Sequence, residues 1–338
     1  MTDVPTAGSV ERITDNVACV ALPLPLPALR VVNCYLHHSS AGVTLIDPGW
    51  SYPPAEQTLI KALADLEFSV SDVHRIVVTH QHWDHYSLGV RWRDRHGIEL
   101  ALGADERHSI EAFDRRPDEV HPNQIPKLIE AGAAGLAAEV QQLEWEPYEQ
   151  GVAFSPPDRW LHDGEPIEGT AGDLMVRATP GHTRGHIVFE DAHRGLMFTG
   201  DHLLPRITPS LAFERAPERL PLRSYLSSLQ LILALPDARM LPAHGSADRT
   251  TWARATELID HHEHRLQQVG ELVAQGNTTS MEVAEKMLWT RKERKLDELN
   301  TVHRMTAVLE VQAHLDLLIA QGRLADSEDA GVRYFVPA

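Results

Sequence analysis

Short β-rich runs alternate with helical periodicities along the chain up to about residue 245. Residues 31–36 and 43–46 read as strands, the second ending at Asp47-Pro-Gly. Pro53-Pro54 then opens a helix whose Leu59, Ile60, Leu63 and Leu66 share one face. Residues 75–79 predict a buried strand that runs straight into His80, and the next helix is expected to start near Tyr86 and stop before Gly97. Residues 105–147 differ in character. Helices are expected over 105–113 and 123–143, joined through Arg116-Pro117 and His121-Pro122, and the Ala-rich residues 131–138 predict a mobile, small-residue helix. This helical insertion separates two sheet-forming halves, because strands resume at 174–178, 187–190 and 196–198. A helix at 222–235 precedes a strand at 239–241.

From about Thr250 the strands stop. A long helix over roughly 252–274 is broken at Gly276-Asn277, Thr278-Thr-Ser280 caps another, and a third covers 302–320 up to Gly322. A β-like tail follows at 332–336. The division expected is 1–250 as a catalytic domain, 251–277 as a connecting helix and 278–338 as a small C-terminal domain.

The apolar content of 43% and charged content of 23% are values at which a substantial core forms. With 31 basic against 48 acidic residues the formal charge is -17, which favours solubility and disfavours polyanions unless a basic patch is present. Cys19 and Cys34 are too few for a disulfide framework and read as buried apolar residues. The start Met1-Thr-Asp-Val-Pro-Thr lacks the pattern of a signal peptide, and the apolar residues 21–29 are short and broken by prolines. A cytoplasmic location is the expectation.

Histidine changes the picture, with 20 residues, several of them clustered. His80-Gln-His-Trp-Asp-His85 offers four potential ligands in six residues, which one face of a helix or strand cannot present together. A loop at the end of strand 75–79 is the expected solution. Imidazole with carboxylate, and no thiolate nearby, suits zinc, iron or manganese. Three further strand ends repeat the arrangement, at Thr179-Pro-Gly-His182, Thr199-Gly-Asp201 and Pro242-Ala-His244.

On these residues the chain resembles the metallo-beta-lactamase superfamily over about 10–245. The resemblance implies an α/β fold, a four-layer αββα sandwich with metals at one edge of two sheets. It implies that His80, His82 and His182 bind one ion, that Asp84, His85 and His244 bind a second, and that Asp201 bridges them. Asp47 would orient ligands from outside the coordination sphere. The implied cofactors are two divalent ions, with zinc favoured and iron or manganese as the other candidates. The implied activity is hydrolysis of an ester, thioester, lactone or amide bond in a small molecule by a metal-bound hydroxide, with Asp84 orienting the nucleophile. A cyclase or an activated aryl-ether hydrolase is the alternative, and a nuclease a lesser one. Glyoxalase-II-like thioesterases are set aside because the C-terminal half shows no obvious glutathione-binding basic residues.

Weaker signals remain. The proline-rich loop 22–27 reads either as an apolar wall for substrate or as a plain connection. His261-His-Glu-His264 reads as surface or packing histidines on a long helix; His186 is expected beside the ligands, and His202 as an acid or a substrate contact. Arg184 stands for a substrate carboxylate or for an ion pair. The segment 278–338 resembles a winged-helix appendage, yet it carries 8 basic and 10 acidic residues. Its cluster Arg291-Lys-Glu-Arg-Lys295 reads as the solvated face of a helix. The partner expected is therefore a small-molecule substrate, with no nucleic acid, no membrane and a homo-oligomer left open.

Overall fold

The structure is a computed structural model that describes residues 5–26, 29–116, 119–152, 154–170 and 174–338. The expectations placed on the first four residues, on Pro27 and on Pro117 fall outside the described residues. Strands β1 (Val10–Arg12), β2 (Val17–Pro23), β3 (Val31–Ser39), β4 (Gly42–Ile46), β5 (Val73–Val78), β6 (Glu99–Gly103) and β7 (Arg159–Leu161) form one sheet in chain order. A second sheet runs β12 (Arg239–Pro242), β11 (Leu196–Gly200), β10 (Ile187–Asp191), β9 (Leu174–Ala178), β8 (Pro166–Ile167). The first sheet is antiparallel through β4 and parallel from β4 to β7, while the second is antiparallel except for β11 against β12.

Burial on both faces explains the near-continuous apolar runs of these strands. Tyr35, Ile46 and Val77 face Val176, Phe189 and Phe198 across the gap between the sheets. The outer face of the first sheet is covered by α1 (Pro53–Asp65) and α2 (Trp83–His96), through Leu59, Leu63, Tyr86 and Trp92. The outer face of the second sheet meets α6 (Pro221–Ala234), α7 (Thr251–Ala274) and α9 (Thr301–Ala320), whose Leu229, Leu258 and Val308 share one cluster with Val188 and Met197. The order of layers is thus α, β, β, α, as the family resemblance implied.

The insertion holds α3 (Arg107–Arg115), α4 (Gln124–Glu130) and α5 (Ala134–Val140). The single helix expected over 123–143 is therefore two, because Gly132 turns the chain with φ 76°, a left-handed value that glycine tolerates. Ala131, Ala133 and Ala137 are buried in the cluster that includes α9 and α8 (Ser280–Lys286), so the small residues serve close packing. Strands β1, β6, β7 and β8 were not anticipated; the last two are only three and two residues long. The basic cluster is not on a helix: Trp289 and Arg294 pair across a turn, with Thr290 and Glu293 in left-handed backbone at φ 62° and 51°. The chain ends in a hairpin, β13 (Leu324–Asp329) with β14 (Val332–Pro337), where one tail strand was expected. Among the described residues no helix is long and apolar enough to cross a membrane.

Candidate metal centre

All five strands implicated by the sequence deliver their residues to one edge of the two sheets. β4 leads to Asp47, β5 to His80, β9 to His182, β11 to Asp201 and β12 to His244. The helix expected from Tyr86 starts three residues earlier, so Trp83, Asp84 and His85 form the first turn of α2 and His82 is its N-cap. The physical gain is that Asp84 sits at the positive end of the helix dipole. Glycines allow the loops to close: a side chain at Gly200 (φ 50°) would collide with Thr79 Oγ1, and one at Gly181 with the Tyr225 backbone.

Three ligand-competent sets result: His80, His82 and His182; Asp84, His85 and His244; and Asp201 with His80 and His85. His82 Nδ1 lies 2.9 Å from His80 Nε2 and 3.2 Å from His182 Nε2. In the second set His244 Nε2 is 3.3 Å from Asp84 Oδ2, and His85 Nε2 is 3.6 Å from the same oxygen. Asp201 stands between the sets. Its Oδ1 is 3.5 Å from His244 Nε2 and 3.7 Å from His85 Nε2, while its Oδ2 is 3.7 Å from His182 Nε2. Ligands of a tetrahedral ion held at about 2.1 Å are roughly 3.4 Å apart, so these separations fit an ion within each set.

The opposite edges of the rings are already held. His80 Nδ1 pairs with Thr79 Oγ1 at 3.1 Å, His85 Nδ1 with Asp47 Oδ2 at 3.0 Å, His182 Nδ1 with the Ser210 carbonyl at 2.7 Å and His244 Nδ1 with the Val31 carbonyl at 2.9 Å. Asp47, itself at φ 53°, also accepts from the Thr79 backbone and hydroxyl, both at 2.8 Å. By contrast, His85 Nε2, His244 Nε2 and Asp201 Oδ1 are buried with no hydrogen-bond partner among the described residues. Buried polar atoms without partners are costly, and a pair of divalent cations satisfies all three. The donor set fits the cofactor.

Charge tells the same story. Burial lowers His82 to about 3 and His182 to about 4, and burial with neighbouring imidazoles holds His80 well below the usual histidine range, so the first set is neutral. For His85 burial also acts downward, but Asp84, Asp201 and Asp47 outweigh it and lift the ring to about 10. His244 is raised too, against burial, by Asp201 and Asp84. Burial works against Asp84 ionising, yet His85 and His244 hold it below the usual carboxylate range. A cation entering the second set displaces protons, so affinity falls in acid.

The remaining residues divide. His186 is buried beside the ligands, with Nδ1 2.9 Å from Thr179 Oγ1 and Nε2 accepting from the Asp201 backbone at 3.2 Å. His202 is fully buried against the Tyr225 and His186 rings. His262 of the His261–His264 run is buried and pairs with His314 of α9 at 3.2 Å. The Arg184 backbone donates to both Glu214 oxygens, at 2.9 and 3.0 Å. In the proline-rich loop Leu22 and Leu24 are buried and Leu26 half-buried, in the same cluster as Trp50 and Trp83. Half-buried Trp83, placed between two ligands in sequence, meets Trp145 at 5.1 Å, Trp50 at 5.8 Å and Phe113 at 5.8 Å between ring centroids.

One pair was missed. Glu106 and Glu214, both buried, lie under the ligand loops: Thr183 Oγ1 donates to Glu106, and Ser109 Oγ to Glu214 at 2.9 Å. Burial, reinforced by Glu214, pushes Glu106 well above the carboxylate range. Burial likewise lifts Glu214 to about 7 against the hydrogen bond from Arg184. Both shifts are upward, so the stability these carboxyls lend is full below the ordinary carboxylate pKa and lost as pH rises, through about 7 for Glu214. Glu214→Gln, neutral at every pH, should flatten the fall of Tm between about pH 5 and pH 8. A variant whose Tm tracks wild type across that range contradicts the assignment.

A family model described as "Metallo-beta-lactamase superfamily" matches residues 27–244, more than half the chain. The chain belongs to this superfamily. A protein of Bacillus subtilis (strain 168) named "Probable metallo-hydrolase YqjP" is 25% identical over 95% of this chain and 98% of its own length. "Hydroxyacylglutathione hydrolase GloC" of Haemophilus influenzae is 23% identical over 53% of this chain and 70% of its own. Among solved structures, a metallo-beta-lactamase family protein from Thermus thermophilus has TM-score 0.76 at 26% identity, covering 97% of this chain and 100% of that one. The superfamily membership and these relatives make the chain a metal-dependent hydrolase.

Proposed function

We propose that the chain hydrolyses an ester, thioester, lactone or amide bond in a small molecule at a centre of two ions, with zinc as the favoured metal. His80, His82 and His182 would hold one ion, Asp84, His85 and His244 the other, and Asp201 would link them. The observation that carries the reading is Asp201, whose two oxygens face different ligand sets at 3.5 and 3.7 Å. When bound, such ions supply Lewis acidity that activates water at neutral pH and polarises a carbonyl.

The chain's own residues do the rest. Thr79, Asp47, Ser210 and Val31 fix the tautomers and tilts of the four held rings. Asp84, with 14% of its side chain exposed, faces the second set and solvent together, which suits it to orient the attacking water. The half-buried aromatic surface of Trp83, Trp145 and Phe113 favours an apolar group on the substrate. The Haemophilus relative's name, a hydroxyacylglutathione hydrolase, supports the thioester among the candidate bonds. The charge of -17, and the acidic balance of the C-terminal segment, favour a small molecule over nucleic acid.

A panel of chromogenic esters, thioesters, lactones, β-lactams and phosphodiesters tests the proposal. Turnover is expected with one or more carbonyl substrates, strongest for those with apolar groups. Turnover of the phosphodiester alone would overturn it.

A further inference from the structure

Residues 202–210 have neither helix nor strand, so their backbone groups have no ladder to satisfy them. Side chains supply the partners instead, for six consecutive carbonyls. The His202 carbonyl accepts from Tyr225 Oη at 3.0 Å, and that of Leu203 from Thr199 Oγ1 at 3.0 Å. The Leu204 carbonyl accepts from Arg254 Nε at 2.6 Å, that of Pro205 from Arg249 at 3.0 Å, that of Arg206 from Arg291 at 2.7 Å and that of Ile207 from a second Arg254 nitrogen at 2.9 Å. All three arginines lie beyond His244 in the chain. Arg254 is buried on α7, and Glu257 one turn on pairs with both Arg254 and Arg249. Arg291 comes from the turn between Trp289 and Arg294.

The clamped segment joins two residues of the metal centre. It begins at Asp201, between the two sets, and ends at Ser210, whose carbonyl accepts from His182 Nδ1 at 2.7 Å. A loop that carries one ligand and orients another sets the geometry of both. A guanidinium fork spans the Leu204 and Ile207 carbonyls at once, which the single ammonium of lysine cannot reproduce.

We propose that Arg254, with Arg249 and Arg291, acts as a positioning residue through which the C-terminal part of the chain sets the metal affinity of the centre. The proposal rests on the reading of Asp201 and His182 as ligands. It assigns the segment beyond residue 244 a function in the reaction that the ligand motifs do not contain.

Zinc titration of the full-length protein against a chromophoric chelator tests it, for wild type, Arg254→Ala, Arg254→Lys and Arg291→Ala, with Tm measured without and with zinc. Arg254→Ala should weaken zinc binding by about 10- to 100-fold, the cost typical of removing a group that holds a ligand. Arg254→Lys should recover part of this, and excess zinc should restore turnover. Arg291→Ala, which removes one hydrogen bond from an exposed residue, should weaken binding by a smaller factor. The Tm of zinc-loaded Arg254→Ala should fall further than that of its metal-free form. Unchanged zinc affinity in folded Arg254→Ala and Arg291→Ala, with equal losses of Tm in both forms, would overturn the proposal. If Arg254→Ala fails to fold, Arg249→Ala and Arg291→Ala decide by the same criterion. A wild-type chain that binds no zinc sinks the ligand reading and this proposal together, whereas normal wild-type binding with unaffected variants sinks this one alone.

Discussion

Asp84→Asn should leave the chain folded while kcat falls by about 100-fold or more and KM changes far less. The carboxylate sits in the first turn of α2, with Oδ2 3.3 Å from His244 Nε2 and 3.6 Å from His85 Nε2. Asparagine keeps the shape and one carbonyl oxygen, so packing around buried His85 survives. What is lost is the negative charge that Asp84 offers to the second set and the acceptor that orients water. Loss of a group acting as general base costs about 100- to 10,000-fold, and a loss felt in the transition state lowers kcat with little effect on KM. Circular dichroism and steady-state kinetics on one preparation separate the outcomes. Turnover close to wild type means that Asp84 has been given the wrong role.

Removing metal should abolish turnover and lower Tm by on the order of 10 °C, since free ligand at about a thousand times Kd stabilises by about 4 kcal/mol. The metal-free centre is not expected to collapse. Protons on His85 and His244 stand in for cations, held by Asp84, Asp201 and Asp47. His85, raised to about 10, stabilises this form fully below the ordinary histidine pKa, and that stability is lost as pH rises through 10. Metal-free protein should therefore lose Tm on the alkaline side more steeply than loaded protein. Dialysis against chelator, differential scanning fluorimetry and re-addition of about two equivalents of zinc measure all of this. A Tm unmoved by chelation, with activity retained, contradicts it.

The ligands were legible in the sequence because each stands just past a strand that the apolar pattern marks. Val77 and Val78 lead to His80, Val176 to His182, Phe198 to Asp201 and Leu241 to His244. The early start of α2 was not legible, since Trp83, Asp84, His85 and Tyr86 are poor helix formers and tertiary placement of the ligands overrides propensity. The break at Gly132 was hidden in an alanine-rich run that scores as helix throughout. Glu106 and Glu214 carry no local signature, because what makes them unusual is their shared burial under the loop that holds His182. The arginine clamp was invisible for a stronger reason. Its acceptors are backbone carbonyls, which every residue possesses, and only the fold brings Arg254 to two of them.

The most direct test is metal per chain, measured by elemental analysis on protein purified without added metal, for wild type and His244→Ala. About two ions per wild-type chain and about one in the variant, with turnover lost in the variant, is the expected result, because His244 belongs to the set with Asp84 and His85 and not to the set with His182. A wild-type chain that turns over substrate while free of metal would contradict the account at its centre.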